Sequence, residues 1–273
     1  MDTDIKLIAI DIDGTLVNSN RQITPAVKDA ILEAKKRGIK VVIITGRPLS
    51  GVKALLAELD LDNQDDQYVV CFGGSVVETT SGQEIYHQGI SYEDYVDLEA
   101  IARKVGLHFH AISPDRIYTS NRDIGEYTLY EANLVSMGIS YRTPEEMADK
   151  NLVKAMFIDN PEILDKAIAE DKYFSTLADR LEFTKTAPFY YEAYAKGVNK
   201  GVALDKLCSK LGLTAENVLA IGDEANDIAM LKFAKVGVAM ENAVPAVKAV
   251  ANEFTTDNDH DGVAKAIERL VLK

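Results

Sequence analysis

Apolar residues along this chain come in short runs that end abruptly in polar clusters. Leu7-Ile8-Ala9-Ile10 stops at Asp11-Ile12-Asp13-Gly14-Thr15, residues 39–44 stop at Thr45-Gly46-Arg47-Pro48, and Val218-Leu219-Ala220-Ile221 stops at Gly222-Asp223. Runs of this length, rich in β-branched residues and bounded by glycine, predict strands buried on both faces. The intervening stretches carry the helical period. After Thr24, a capping residue, and Pro25, suited to the first helical position, Val27, Ile31 and Ala34 fall on one stripe that Gly38 closes. Residues 49–59, 200–211, 244–251 and 262–270 also predict helices, and another begins at Ile228. Residues 67–72, 236–240 and 253–256 predict strands, the first running through Gly73-Gly74 into a hairpin with residues 76–78. Strand, helix, strand at this spacing is a βαβ unit. It implies a parallel sheet, in which ligands bind at the carboxyl ends of the strands.

The pattern changes near residue 85. Residues 91–105 predict an amphipathic helix with Tyr92, Tyr95, Leu98 and Ile101 on its stripe. Residues 108–111, 116–119, 152–158, 181–185 and 189–194 predict strands, residues 123–134 a helix, and Pro161 opens another. Residues 171–179 predict a loop. This α+β mixture has no strand ending in carboxylates. It reads as a second domain inserted over residues 85–189, between catalytic core segments 1–84 and 190–273.

A chain of 273 residues, 47% of them hydrophobic, suits one large or two smaller globular domains. The formal net charge of −13 argues against nucleic-acid binding, which needs basic surface. An anionic substrate would therefore need individually placed lysines and arginines. No apolar stretch is long enough to span a bilayer, and the acidic N-terminus lacks the basic region of a signal peptide, so a cytoplasmic protein is expected. Cys71 and Cys208 have no metal-binding spacing and read as two reduced, buried thiols.

Asp11 and Asp13 share one side of the strand if the chain stays extended there. Two carboxylates so close repel, and a divalent cation is the simplest partner; Mg2+ favours one or two carboxylates with phosphate oxygens and water. A calcium loop is excluded because the closing Glu is missing and a strand, not a helix, precedes the motif. Other residues keep plainer alternatives. Thr45 could be only a helix cap, Lys200 a solvated lysine, Asp227 a complement to a helix dipole, and Arg47 either a substrate contact or a salt-bridge partner. His87, His108, His110 and His260 show no ligand spacing. The aromatic cluster Phe189, Tyr190, Tyr191 and Tyr194 reads as packing.

The order of the clusters carries more than any one of them. D-x-D-G-T after a strand, T-G after a second, N-K-G opening a helix, and G-D-x-x-N-D-I-A-M after a later strand resemble the haloacid-dehalogenase-like superfamily, and most closely its class IIB (Cof-type) sugar-phosphate phosphatases. The resemblance covers the whole chain, including the run from Gly237 to Ala243. It implies a doubly wound, Rossmann-like α/β core with an inserted α+β cap of type C2B that closes over the site. It also implies a Mg2+-dependent phosphatase acting through an aspartyl-phosphate. In those terms Asp11 is the nucleophile. Asp13 is the acid and base, and reaches the metal through its carbonyl. Asp223 completes the metal site with Asp11. Thr45, Gly46, Arg47, Lys200 and Asn226 face the phosphate or substrate, and Asp227 orients a ligand or Lys200. The expected substrate is a small phosphate monoester. A sugar phosphomutase and a non-catalytic sugar-phosphate-binding regulator are the alternatives. Phe72-Gly73-Gly74-Ser75 departs from the Asn-Gly that many relatives carry there, and the role of Glu192 stays open between a hinge and a hydroxyl contact.

Overall fold

The computed structural model describes residues 4–170 and 172–272. The outermost ends of the expected core segments and the first residue of the 171–179 loop lie outside the described residues. The chain forms two compact units, one of residues 1–86 with 199–273 and one of residues 87–198.

The first unit opens with β1 (Leu7–Ile10), α1 (Pro25–Lys36), β2 (Lys40–Ile44), α2 (Lys53–Glu58), β3 (Tyr68–Cys71), β4 (Val76–Thr79) and β5 (Glu84–His87). The second unit holds α3 (Tyr92–Val105), β6 (Phe109–Ile112), β7 (Arg116–Thr119), α4 (Glu126–Leu134), β8 (Gly138–Tyr141), β9 (Lys154–Ile158), α5 (Pro161–Glu170), β10 (Leu181–Ala187) and β11 (Tyr190–Ala195). The chain then completes the first unit with α6 (Lys200–Leu211), β12 (Val218–Gly222), α7 (Ile228–Phe233), β13 (Val236–Ala239), α8 (Pro245–Lys248), β14 (Glu253–Phe254) and α9 (Gly262–Leu270).

Among the described residues the first unit's sheet has the order β14-β13-β12-β1-β2-β3-β4-β5. The strands from β14 to β3 pair in parallel, and β4 returns antiparallel to β3. β1, β2, β12 and β13 are almost wholly buried, as their unbroken apolar runs require. The chain leaves β1 for β2 on one side and leaves β12 for β13 on the other. Right-handed crossovers in opposite directions put α1 and α7 on opposite faces. α1 packs with α9, and α6 with α7. The winding reverses between β1 and β12, the place where such sheets bind ligands.

The second unit is a sheet of order β10-β11-β9-β6-β7-β8, antiparallel except for β7 beside β8. Phe109, Ala111, Ala155, Phe157 and Ala193 on one face join Tyr95, Leu98 and Ile101 of α3 and Leu164 of α5 in its core. Alternation sends His110, Lys154, Met156 and Glu192 to the other face.

Some expectations need correction. The boundary at residue 190 is wrong, because β11 is hydrogen-bonded between β9 and β10, and the second unit runs to Val198. No change of composition marks that junction, so the sequence did not show it. The helix over 49–59 is split: Leu49–Gly51 forms a 3-10 turn, and Val52, at φ −123°, leaves helical geometry before α2 begins. The helix over 244–251 is regular only from Pro245 to Lys248. Within 171–179, Phe174–Leu177 is a 3-10 turn that buries Phe174 and Leu177. β8 was not predicted; it is a half-exposed edge strand with a single partner, and so lacks a buried apolar run. Cys71 and Cys208 are buried free thiols.

Candidate active site

The site is built where β1, β2 and β12 end and α6 begins. The Asp11 N–H still donates to Ile221 O of β12 at 3.1 Å. The chain then coils: Thr15 and Val17 donate to Ile12 O and Leu16 donates to Asp11 O. Asp11 therefore stays buried, while the Asp13 side chain turns out to 60% exposure. The two aspartates do not share a strand face, because the extended chain ends before Asp13. Gly14 makes the turn at φ +81°, and a Cβ there would clash with the Asp223 carboxylate.

Lys200 is the first residue of α6, capped by Asn199, whose side chain accepts the Val202 N–H at 2.9 Å. A Cβ on Gly201 would run into the Ala229 carbonyl, so α6 and α7 touch backbone to backbone. The Lys200 side chain is 1% exposed, which excludes its reading as a solvated lysine. Its ammonium donates to Asp11 Oδ1 and to Asp227 Oδ1, each at 2.5 Å. Asp227 Oδ2 accepts the Asp223 and Glu224 N–H groups at 2.9 and 3.0 Å. Asp227 thus serves to hold Lys200 and the β12 loop.

Carboxylate oxygens of Asp11, Asp223 and Asp227 lie within 4.8 Å of one another. Three buried carboxylates face one ammonium, so the cluster is short of positive charge. Burial raises the Asp11 carboxyl to about 7; Lys200 opposes this, while Asp227 and Asp223 add to it. Burial likewise raises Asp223 to about 6, against the Thr15 hydrogen bond and with the help of Asp227 and Glu224. Burial would lower the Lys200 ammonium, but Asp11 and Asp227 outweigh it and keep the ammonium charged.

Thr45 is buried at the end of β2, beside the end of β1. Its hydroxyl accepts the Arg47 N–H at 3.1 Å, and the 3-10 turn that follows is preceded by Pro48, so Thr45 is not a helix cap. Gly46 is exposed. Arg47 pairs with Asp13 at 2.5 Å; with side-chain exposures of 37% and 60%, this pair contributes about 1 kcal/mol or less. Asn226 is exposed on the turn Ala225–Asp227. Phe72, Gly73 and Gly74 all take left-handed backbone, giving the departure after β3 a turn of its own. Glu192 lies in the second unit, buried against Lys154, Thr186 and Tyr194. Two residues given no role from the sequence touch Asp223. Thr15 Oγ1 donates to its Oδ1 at 2.7 Å, and Asn242 Nδ2 faces its Oδ2 at 3.3 Å. Both sit inside motifs that carried the resemblance, and that was their only signal.

A family model described as haloacid dehalogenase-like hydrolase matches residues 8–267. A protein of Streptococcus pyogenes serotype M6 with a provisional phosphatase name is 46% identical over 98% of this chain and 99% of its own length. The 5-amino-6-(5-phospho-D-ribitylamino)uracil phosphatase YcsE of Bacillus subtilis is 35% identical over 99% of this chain and 98% of its own. Among solved structures, a haloacid dehalogenase-like hydrolase from Bacteroides thetaiotaomicron superposes with a TM-score of 0.83 at 32% identity, covering 97% of this chain and 99% of the other. The subclass IIB sugar phosphatase BT4131 superposes with a TM-score of 0.75 at 25% identity, covering 98% of this chain and 100% of its own.

Proposed function

Because the chain belongs to the haloacid dehalogenase-like hydrolases, we propose that it is a Mg2+-dependent phosphatase of small phosphorylated metabolites that works through a phospho-Asp11 intermediate. The observation that carries this reading is the charge deficit at the end of β1. A carboxyl that burial holds near 7 is only partly ionised at neutral pH, and a further cation beside it would favour the carboxylate form. The donors offered are carboxylate oxygens, which suit a hard divalent ion. Asp227 is fully buried and is committed to the Lys200 ammonium on one oxygen and to two backbone N–H groups on the other, so Asp11 and Asp223, with the Asp13 carbonyl, are the residues that would hold Mg2+. When bound, Mg2+ supplies charge neutralisation at the phosphoryl oxygens.

In the first step the Asp11 carboxylate attacks phosphorus, the bond from phosphorus to the ester oxygen breaks, and the Asp13 carboxyl protonates the departing alcohol. In the second, the Asp13 carboxylate takes a proton from water, whose oxygen attacks phosphorus and releases inorganic phosphate and Asp11. Lys200 fixes the orientation of Asp11 and balances charge on the transferring group. Thr45, Gly46 and Asn226 are polar or backbone contacts for the phosphate at neighbouring loop ends. The Arg47–Asp13 pair is weak enough to part, which would free the guanidinium for the substrate and the carboxyl for proton transfer.

The relatives support one substrate class. One is a sugar phosphatase, and another is named for a phosphorylated ribityl compound, so a phosphate on a polyhydroxylated carbon chain is the expected substrate. Phosphate release across a panel of sugar and polyol phosphates, with and without Mg2+, tests the reading. Free phosphate that depends on Mg2+ supports it. An isomeric sugar phosphate would make the protein a mutase, and tight binding without turnover would make it a regulator.

A further inference from the structure

The loop after β13 reaches into the site through one side chain. Asn242 Nδ2 donates to Gly14 O at 2.8 Å and lies 3.3 Å from Asp223 Oδ2. Its Oδ1 accepts the Asn258 N–H at 3.3 Å, which fixes which end of the amide faces the carboxylate. Asn258 Nδ2 in turn donates to Val17 O at 2.9 Å, and Asp259 accepts from the N–H and hydroxyl of Ser19 at 2.9 and 2.7 Å. One amide thus joins the loop after β1, the loop after β12 and the loop before α9.

Asn242 is not needed to hold its own turn. The backbone does that, through Met240 N–H to Gly222 O, Ala243 N–H to Met240 O and Val244 N–H to Asp223 O. The side chain is spent on the carboxylate and on the Gly14 carbonyl. Thr15 grips Asp223 Oδ1 and Asn242 faces Oδ2, so the plane of this carboxylate is set from both edges.

We propose that Asn242 is a positioning residue for cation binding, holding Asp223 and the Asp13-Gly14 turn in the relative placement that Mg2+ requires. This rests on the reading of Asp11 and Asp223 as the ligands. Mg2+ tolerates little departure from octahedral geometry, so a carboxylate free to rotate binds it less well. Loss of such outer partners typically weakens metal binding by about 10–100-fold.

The test is calorimetric titration of Mg2+ into the metal-free full-length chain, beside the Mg2+ dependence of p-nitrophenyl phosphate hydrolysis. Asn242→Ala is expected to raise the Mg2+ dissociation constant about tenfold. Its kcat at saturating Mg2+ should stay within about threefold of the parent, because no reacting atom is touched. Asn258→Ala keeps the backbone N–H that orients Asn242 and should give a smaller rise. Should Asn242→Ala fail to fold, Asn242→Ser, whose hydroxyl reaches neither acceptor, is expected to give the same shift. Unchanged Mg2+ affinity in the variant overturns the inference and leaves the phosphatase reading standing. So does a collapse of kcat at saturating Mg2+ with unchanged affinity. A parent chain that binds no Mg2+ instead refutes the metal reading beneath it.

Discussion

Each unit of this protein buries a lysine among carboxylates, and the two clusters differ in how their charges balance. In the second unit Lys154 donates to Glu192 Oε2 at 3.0 Å, Thr186 donates to Glu192 Oε1 at 2.9 Å, and the Tyr194 hydroxyl also donates to Glu192. Burial pushes the Glu192 carboxyl up, but Lys154 and these donors more than offset it, and the group ends below its ordinary value. Lys154 meets the Glu192 charge directly and both Glu192 oxygens are taken, while buried Glu131 also acts on the Lys154 ammonium. In the first unit Lys200 meets Asp11 and Asp227 with Asp223 close by, and two of these carboxyls are held far above their ordinary range. Among the described residues Asp11 Oδ2 accepts no protein hydrogen bond. The Lys154 cluster belongs to the architecture of its sheet. In the first unit the Asp11 and Asp223 carboxyls stay raised by burial, the pattern on which we base reading this cluster as the place for chemistry.

The largest expected effect separates the clusters by activity. Asp11→Asn should fold and lose p-nitrophenyl phosphate hydrolysis by about 10^4-fold or more, since the nucleophile is gone. Wild-type turnover in that variant with Mg2+ present would refute the assignment. Lys154→Met, by contrast, should leave kcat nearly unchanged and destabilise the fold by about 3–5 kcal/mol, because Glu192 is left buried and unpaired. Thermal unfolding reads this, and adding Glu192→Leu should recover most of the loss. A Lys154→Met protein that melts like the parent would erase the contrast.

Proton linkage gives smaller effects of opposite sign in the two units. Asp11 and Asp223 sit above the 3.8 of an ordinary aspartate, so the stability they contribute is present below about pH 4 and lost as pH rises through 6 to 7. Mg2+ bound as proposed would counter that loss by taking the deprotonated ligands. The rise in melting temperature on adding Mg2+ should therefore be larger at pH 8 than at pH 5, by on the order of 5 °C; an equal rise at both would contradict the linkage. In the second unit, burial and the Lys154 charge hold His110 at about 3 against an ordinary 6.5. Its contribution is present above pH 6.5 and lost as pH falls toward 3. Amide exchange in β6 and β9, corrected for intrinsic rates, should accelerate as the solution is acidified below pH 6, and less so in His110→Gln.

The apolar runs before Asp11, Thr45 and Asp223 were enough to show a parallel sheet with polar clusters at its strand ends, because a strand buried on both faces must be apolar throughout and its polar end must lie outside. The G-D-x-x-N-D and N-K-G patterns singled out Asp223, Asp227 and Lys200 through the family resemblance they carry. What the sequence could not decide is every fact that depends on distant pieces meeting. The local turn that takes Asp13 off the strand face, in which its neighbours bond back to Asp11 and Ile12, was not legible either. β11 joins the second unit because β9 and β10 flank it. Thr15 and Asn242 converge on Asp223 from loops more than 200 residues apart. Local periodicity reports burial, which a residue experiences one position at a time. Which carboxylate shares its charge with which lysine is settled only when the sheet has wound and the loops have closed.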